Sequence, residues 1–206
     1  MRFLLVVASL FAAGLTSPAQ PLRPITWLPP AGAARPVSAA SALGQTRQMQ
    51  GKYVFCYTQP VAPYDVAFSF ASTYTPHERM TLNDVASGCM AGALTEAGAQ
   101  LKAFDAIIIQ PGARDIAIKF KDTVPAAERG LATVPKQQGK YLFLYCEPVT
   151  EYQVVKTEKI AWYNKAFGGA YYPIATVEAN LLKTAQKQAA VQAIIFTETA
   201  SYIAFK

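Results

Sequence analysis

The chain says one thing twice, and that restricts its fold more than anything else in it. Residues 50–66 read QGKYVFCYTQPVAPYDV and residues 138–154 read QGKYLFLYCEPVTEYQV, with ten of 17 positions identical at an offset of 88. A second match follows at an offset of 87, where FDAIIIQPGARDIAIK (104–119) lines up with VQAIIFTETASYIAFK (191–206). Two ungapped matches at nearly one offset imply an internal duplication, and a duplicated unit must be read as one supersecondary piece used twice. The segments between the matches align poorly.

Each unit has the same grammar. Tyr53, Phe55 and Tyr57 alternate with Val54, Cys56 and Thr58, the period of a strand that uses both faces. Pro60 and Pro63 interrupt it, and 64–70 alternates again. Val85, Ala86, Met90, Ala93, Leu94, Ala97 and Leu101 then recur at helical steps, with Thr81 or Asn83 placed to cap the start. Ala106–Ile109 is a buried-type apolar run, Pro111-Gly112 a turn, and Ile116, Ile118 and Phe120 a further strand. The second unit predicts strands near 140–146 and 151–158, a helix near 174–189 and strands near 192–197 and 201–206. Strands joined by short turns predict the α+β class. The expected architecture is two tandem ββαββ units related by a pseudo-two-fold, each an antiparallel sheet with a helix on one face. A unit of about 70 residues has a marginal core, so the copies are expected to pack together.

The boundaries follow. Met1-Arg2, an uncharged run from Phe3 to Leu15, then Ser17 and Ala19 fit an export signal over residues 1–19, with cleavage before Gln20. The run is too short to cross a bilayer as a helix, which takes roughly 20 apolar residues. The first cysteine is Cys56, so no cysteine stands at the cleavage site to carry a lipid. The expectation is an exported protein, periplasmic or extracellular, not a lipoprotein, without a membrane span in the mature chain. Residues 20–49, with Pro21, Pro24, Pro29, Pro30 and Pro36, predict an extended leader dispensable for folding. The units are 50–121 and 138–206, joined by a linker at 122–137.

The net charge of +6 is not a binding stripe. The first unit holds six basic and six acidic residues, the second seven and five, and most of the surplus is Arg2, Arg23, Arg35 and Arg47, ahead of both. Nucleic-acid recognition needs clustered positive charge, so a nucleic-acid partner is not expected. Cys56, Cys89 and Cys146 are unevenly placed between the copies, which favours three free, buried thiols over a bridge.

The strand ending in Pro-Val, the Tyr-led second strand, the helix, and the strands at Phe104-Asp105-Ala106-Ile107-Ile108 and Val191-Gln192-Ala193-Ile194-Ile195 resemble uncharacterised exported proteins of the Bacteroidetes type. They also resemble the small YbjQ-like and RcsF-like envelope fold. The resemblance covers about half of each unit and includes no catalytic residue. It implies the fold and transfers no activity.

Chemistry is sparse. His77 is the only histidine, and the His-Glu pair it begins lacks the second histidine of a zinc-protease helix, because Thr81 stands there. Cys56, Cys89, Cys146 and His77 lack the close spacing of structural zinc ligands. No catalytic residue, metal ligand or cofactor is assigned. The most distinctive segment is Trp162-Tyr163-Asn164-Lys165-Ala166-Phe167-Gly168-Gly169-Ala170-Tyr171-Tyr172, which the first unit does not share. Its aromatics suit either a binding surface or a cap over the open end of the sheet. Trp162, Tyr163, Phe167, Tyr171 and Tyr172 are therefore the candidate ligand-binding residues. The expected function is that of a non-catalytic binding module for an envelope protein or small ligand. The alternative is a small hydrolase-type envelope enzyme.

Overall fold

The computed structural model describes residues 41–71, 81–110, 114–160, 163–164, 170–171 and 174–206. The first half contains β1 (Ser41–Thr46), β2 (Gln48–Met49), β3 (Lys52–Cys56), β4 (Gln59–Pro60), β5 (Tyr64–Phe70), α1 (Leu82–Gln100), β6 (Ala106–Ile109) and β7 (Asp115–Phe120). The second contains β8 (Leu131–Gln137), β9 (Lys140–Leu144), β10 (Cys146–Pro148), β11 (Tyr152–Lys159), β12 (Tyr163–Asn164), β13 (Ala170–Tyr171), α2 (Ile174–Gln186), β14 (Ala193–Phe196) and β15 (Thr199–Phe205). A single 3-10 turn, Ala126–Glu128, lies between the halves.

The repeated Gln-Gly-Lys-Tyr run is a hairpin turn entering a strand. Gln50 and Gly51 have φ of 51° and 73°, and Gln138 and Gly139 have 50° and 81°. Two successive positive φ values give the tight turn whose twist matches antiparallel strands. The turns join β2 to β3 and β8 to β9. At the far end, Tyr57 and Tyr145 both take positive φ, 55° and 56°. That turn carries the chain out of each sheet.

The expected α+β architecture of two self-contained antiparallel ββαββ units is not what forms. The described chain is mostly β, 46% strand against 25% helix, with two helices and large curled sheets. One sheet runs β2-β3-β6-β7-β5; the other runs β10-β1-β8-β9-β14-β15-β11, with β4 also on β8. Both are mixed, because β3 pairs parallel to β6 and β9 parallel to β14. The reason lies in burial. All four residues of β6 and of β14 are buried, so these strands need neighbours on both edges. The half-exposed β5 and β11 go to the edges instead, and α1 or α2 returns the chain beside the first strand in parallel.

The segments expected as leader and linker also differ. Residues 41–46 form β1, an inner strand between β10 and β8, and residues 131–137 form β8, which bridges β1 and β9. Residues 1–40 lie outside the described residues. Leu43 pairs with Thr133, Gly44 with Ala132 and Gln45 with Leu131. Adding 88 to one partner and subtracting 88 from the other returns the same set of pairs. A local two-fold therefore passes between Gly44 and Ala132, and strands of the two halves pair in equivalent ways about it, β4 with β8 and β10 with β1, all within the larger sheet. The approach at Gly44 is close: a Cβ there would lie 3.0 Å from Cys146 Sγ and 3.2 Å from Phe143 Cδ1.

The inner faces and both helices share one core, including Val54, Cys56, Ile107, Leu142, Leu144, Ile194 and Tyr202. Phe55, Ile108 and Phe120 fill the outer face of the first sheet, and Phe143, Ile195 and Ile203 that of the second. Thr81 caps α1 through a reciprocal box with Asp84, at 2.7 and 3.2 Å. Leu94 and Leu101, assigned by periodicity to the apolar face, are exposed instead; Leu101 is the left-handed C-cap, 93% exposed. The final strands equate at an offset of 85, not 87, since Ala106 pairs with Ile118 and Ala193 with Ile203. The β6–β7 connection is two residues longer than its counterpart.

Candidate functional site

Among the predicted site residues, Trp162, Phe167 and Tyr172 lie outside the described residues, as does His77. Tyr163 and Tyr171 are brought together by the backbone. They are direct partners in the β12–β13 ribbon, followed by Asn164 with Ala170. The ribbon stands between the end of β11 and the start of α2.

Sequence reasoning did not single out β11, the strand that leads into the ribbon. It is paired along its length to β15, from Tyr152 with Phe205 to Lys159 with Thr199, and no other described strand pairs with it. None of its residues is buried. Val154 and Val155 are 55% and 43% exposed. Lys206 N–H donates to the Glu151 carbonyl, and Gln192 N–H to that of Ile203. With the bulge between Val154 and Lys156, this alternation turns the backbone groups of Tyr152, Val154, Thr157 and Lys159 outward. Lys156 pairs with Glu158 at 2.6 Å. Burial raises the Glu158 carboxyl, but the hydrogen bonds from Lys156 and Tyr202 overcome it and hold the group below its usual range. An open run of backbone donors and acceptors flanked by exposed valines is a template for an added strand.

A second group is buried. Cys89 Sγ donates to Asp115 Oδ2 at 3.3 Å, and Asp115 Oδ1 accepts from the Gln110 N–H at 3.1 Å. Burial pushes the Cys56 thiol well up, with Cys89, Glu178, Cys146 and Asp115 adding in the same direction. Burial pushes Cys146 up to about 12, assisted by Glu147 and opposed by Arg47. All three cysteines are free and buried. Thiols held protonated are poor nucleophiles and poor ligands. Among the described residues no cluster of three or more His, Cys, Asp or Glu is arranged to hold a metal.

Glu178 belongs to this interior. Its Oε1 is buried with no hydrogen-bond partner among the described residues, and burial raises its carboxyl to about 7. The signal was available in the sequence: Glu178 falls within the stripe of Ile174, Val177, Leu181, Leu182 and Ala185 that faces the core. Tyr145 O–H donates to Asn83 Oδ1 at 3.2 Å, which ties the start of α1 to the second half.

No protein-family model, curated protein or solved structure matches this chain.

Proposed function

We propose that the chain is an exported, non-catalytic binding module that takes an extended segment of an envelope partner along β11, beside the aromatic β12–β13 ribbon. The observation that carries this reading is the eight-residue edge of β11, paired to β15 on one side, with no described strand on the other, and exposing Val154 and Val155. Export is supported by the charged start, apolar run and small-residue cleavage pattern of residues 1–19. Strand addition takes its affinity from main-chain hydrogen bonds and its selectivity from neighbouring side chains. Trp162, Tyr163, Phe167, Tyr171 and Tyr172 are the proposed source of that selectivity, since Trp and Tyr dominate recognition surfaces.

The test is a photocrosslinking residue at Val155 in the producing cell, with one at Val66 on β5 as the comparison. A discrete product is expected from Val155 alone. Thr157→Pro should abolish it at a small cost in stability, because the lost N–H points away from β15 and only the exposed Thr157–Ser201 hydroxyl contact goes with it. Trp162→Ala with Tyr163→Ala should weaken the product at unchanged stability. Equal products from both edges, or a stability loss of about 3 kcal/mol or more in the aromatic variant, would sink the reading.

A further inference from the structure

The halves diverge most usefully at the other end of the second sheet. A cavity of about 250 Å³ opens there, lined by Lys136, Lys140, Tyr141, Val191, Gln192 and Phe205 among others. We propose that it is a binding site for a small organic carboxylate with a flat apolar body.

Hydrogen bonds fix the equivalent positions. Lys140 Nζ donates to the Val191 carbonyl as Lys52 Nζ does to that of Phe104. Tyr141 N–H donates to the Gln192 carbonyl as Tyr53 N–H does to that of Asp105. Gln192 Oε1 accepts from Phe205 N–H at 2.7 Å as Asp105 Oδ2 accepts from Phe120 N–H at 2.9 Å. Against this shared frame, three replacements all favour an anion. Gln48 becomes Lys136, which adds a positive charge. Asp105 becomes Gln192, which removes a negative charge; because its oxygen is held by Phe205, its amide N–H groups are the free end. Phe104 becomes Val191, which removes a ring. In the first half that ring lies under Lys52, 5.2 Å from Nζ. Ala189, where the first half has Lys102 reaching to the Ala67 carbonyl, opens the cavity further.

Lys136 Nζ lies 5.0 Å from the Tyr141 ring centroid, and Tyr141 and Phe205 pack edge-on at 5.9 Å. Among the described residues neither Lys136 nor Lys140 has a carboxylate partner. Two ammonium groups and an amide meet the carboxylate, and the aromatic pair meets the flat body. The volume is below the roughly 300 Å³ at which drug-sized pockets begin, so a small ligand is specified.

The experiment is a titration of the full chain with benzoate, followed by two-dimensional amide NMR, with benzylamine and inorganic phosphate as comparison probes. Benzoate should shift the Gly139, Tyr141 and Gln192 signals saturably, benzylamine should not, and phosphate should act more weakly. Lys136→Gln, which restores the first half's residue, should weaken benzoate about tenfold, the scale of one charge-assisted contact. Val191→Phe, which restores the ring, should abolish the shifts in a protein with unchanged dispersion. The proposal is overturned if no shift saturates, if phosphate matches benzoate, or if both variants bind as the parent does.

Discussion

Replacing Glu178 with glutamine should make the protein more stable, and only above a certain pH. The carboxyl sits in the apolar stripe of α2 with Oε1 buried and without a partner among the described residues, and burial raises it from 4.5 to about 7. Its folded-state affinity for a proton exceeds its unfolded one. Below pH 4.5 both states are protonated and the residue is neutral to stability. Between 4.5 and 7 the folded state must hold a proton that the unfolded state has lost, so stability falls as pH rises. Above 7 the deficit is constant. The rise to about 7, at about 1.4 kcal/mol per pH step, sets the deficit at about 3 kcal/mol as an upper bound. Glutamine keeps the shape and the polar atom but does not ionise.

Parent and Glu178→Gln should therefore melt together at pH 4 and separate through pH 6. At pH 8 the variant should melt higher by up to about 10 °C, at about 2–4 °C per kcal/mol for a chain of this size. Urea midpoints at the same three values give the free energies directly. Every other ionisable group is common to the two proteins, so the difference isolates Glu178. Two parallel stability curves, or a variant that is less stable at pH 8, would refute the placement of Glu178 against the core.

Three further outcomes are expected. A thiol reagent should count three groups in the denatured, unreduced protein and react slowly with all three in the native one, because Cys56, Cys89 and Cys146 are buried; a count of one would establish a bridge. A chain beginning at Gln50 should fail to unfold cooperatively, because it lacks β1, the strand between β10 and β8; a sharp melt near that of the longer chain would show β1 to be dispensable. Gly130→Ala should lower stability by about 1–3 kcal/mol, since its Cβ would stand 2.8 Å from Tyr53 Cε1; an unchanged melt would mean that the Tyr53 ring yields freely.

The local elements were legible where a period or a turn residue spoke plainly. The two-sided alternation of Tyr53 to Cys56 became β3, buried on both faces, and the apolar Ala106–Ile109 became β6. The pairing was not legible. Short connections suggested antiparallel neighbours, yet the fully apolar β6 and β14 had to lie inside the sheets, and that forced parallel pairing with β3 and β9. Residues 41–46 were hidden by their company, since small and polar residues after a proline-rich stretch carry no strand period. They pair because Gly44 lets β1 pass within reach of Cys146 and Phe143, a constraint that exists only once the second half is present. Glu178 was missed through attention to motifs, although a lone carboxylate in an apolar helical stripe is a physical signal in its own right.

The local two-fold ties these points together. At Gly44 and Ala132 the halves must match, because the same backbone register serves both, and here β4 and β10 pair with β8 and β1 in equivalent ways. Away from the axis nothing enforces identity. There the halves part: Glu178 joins the core in the second, Cys89 and Asp115 pair in the first, and Lys136, Val191 and Gln192 line a cavity where the first half has Gln48, Phe104 and Asp105. A symmetric frame of this kind confines divergence to its periphery. That places the proposed edge at β11 and the proposed carboxylate site at Tyr141 on surfaces free to specialise without disturbing the strands that hold the halves together.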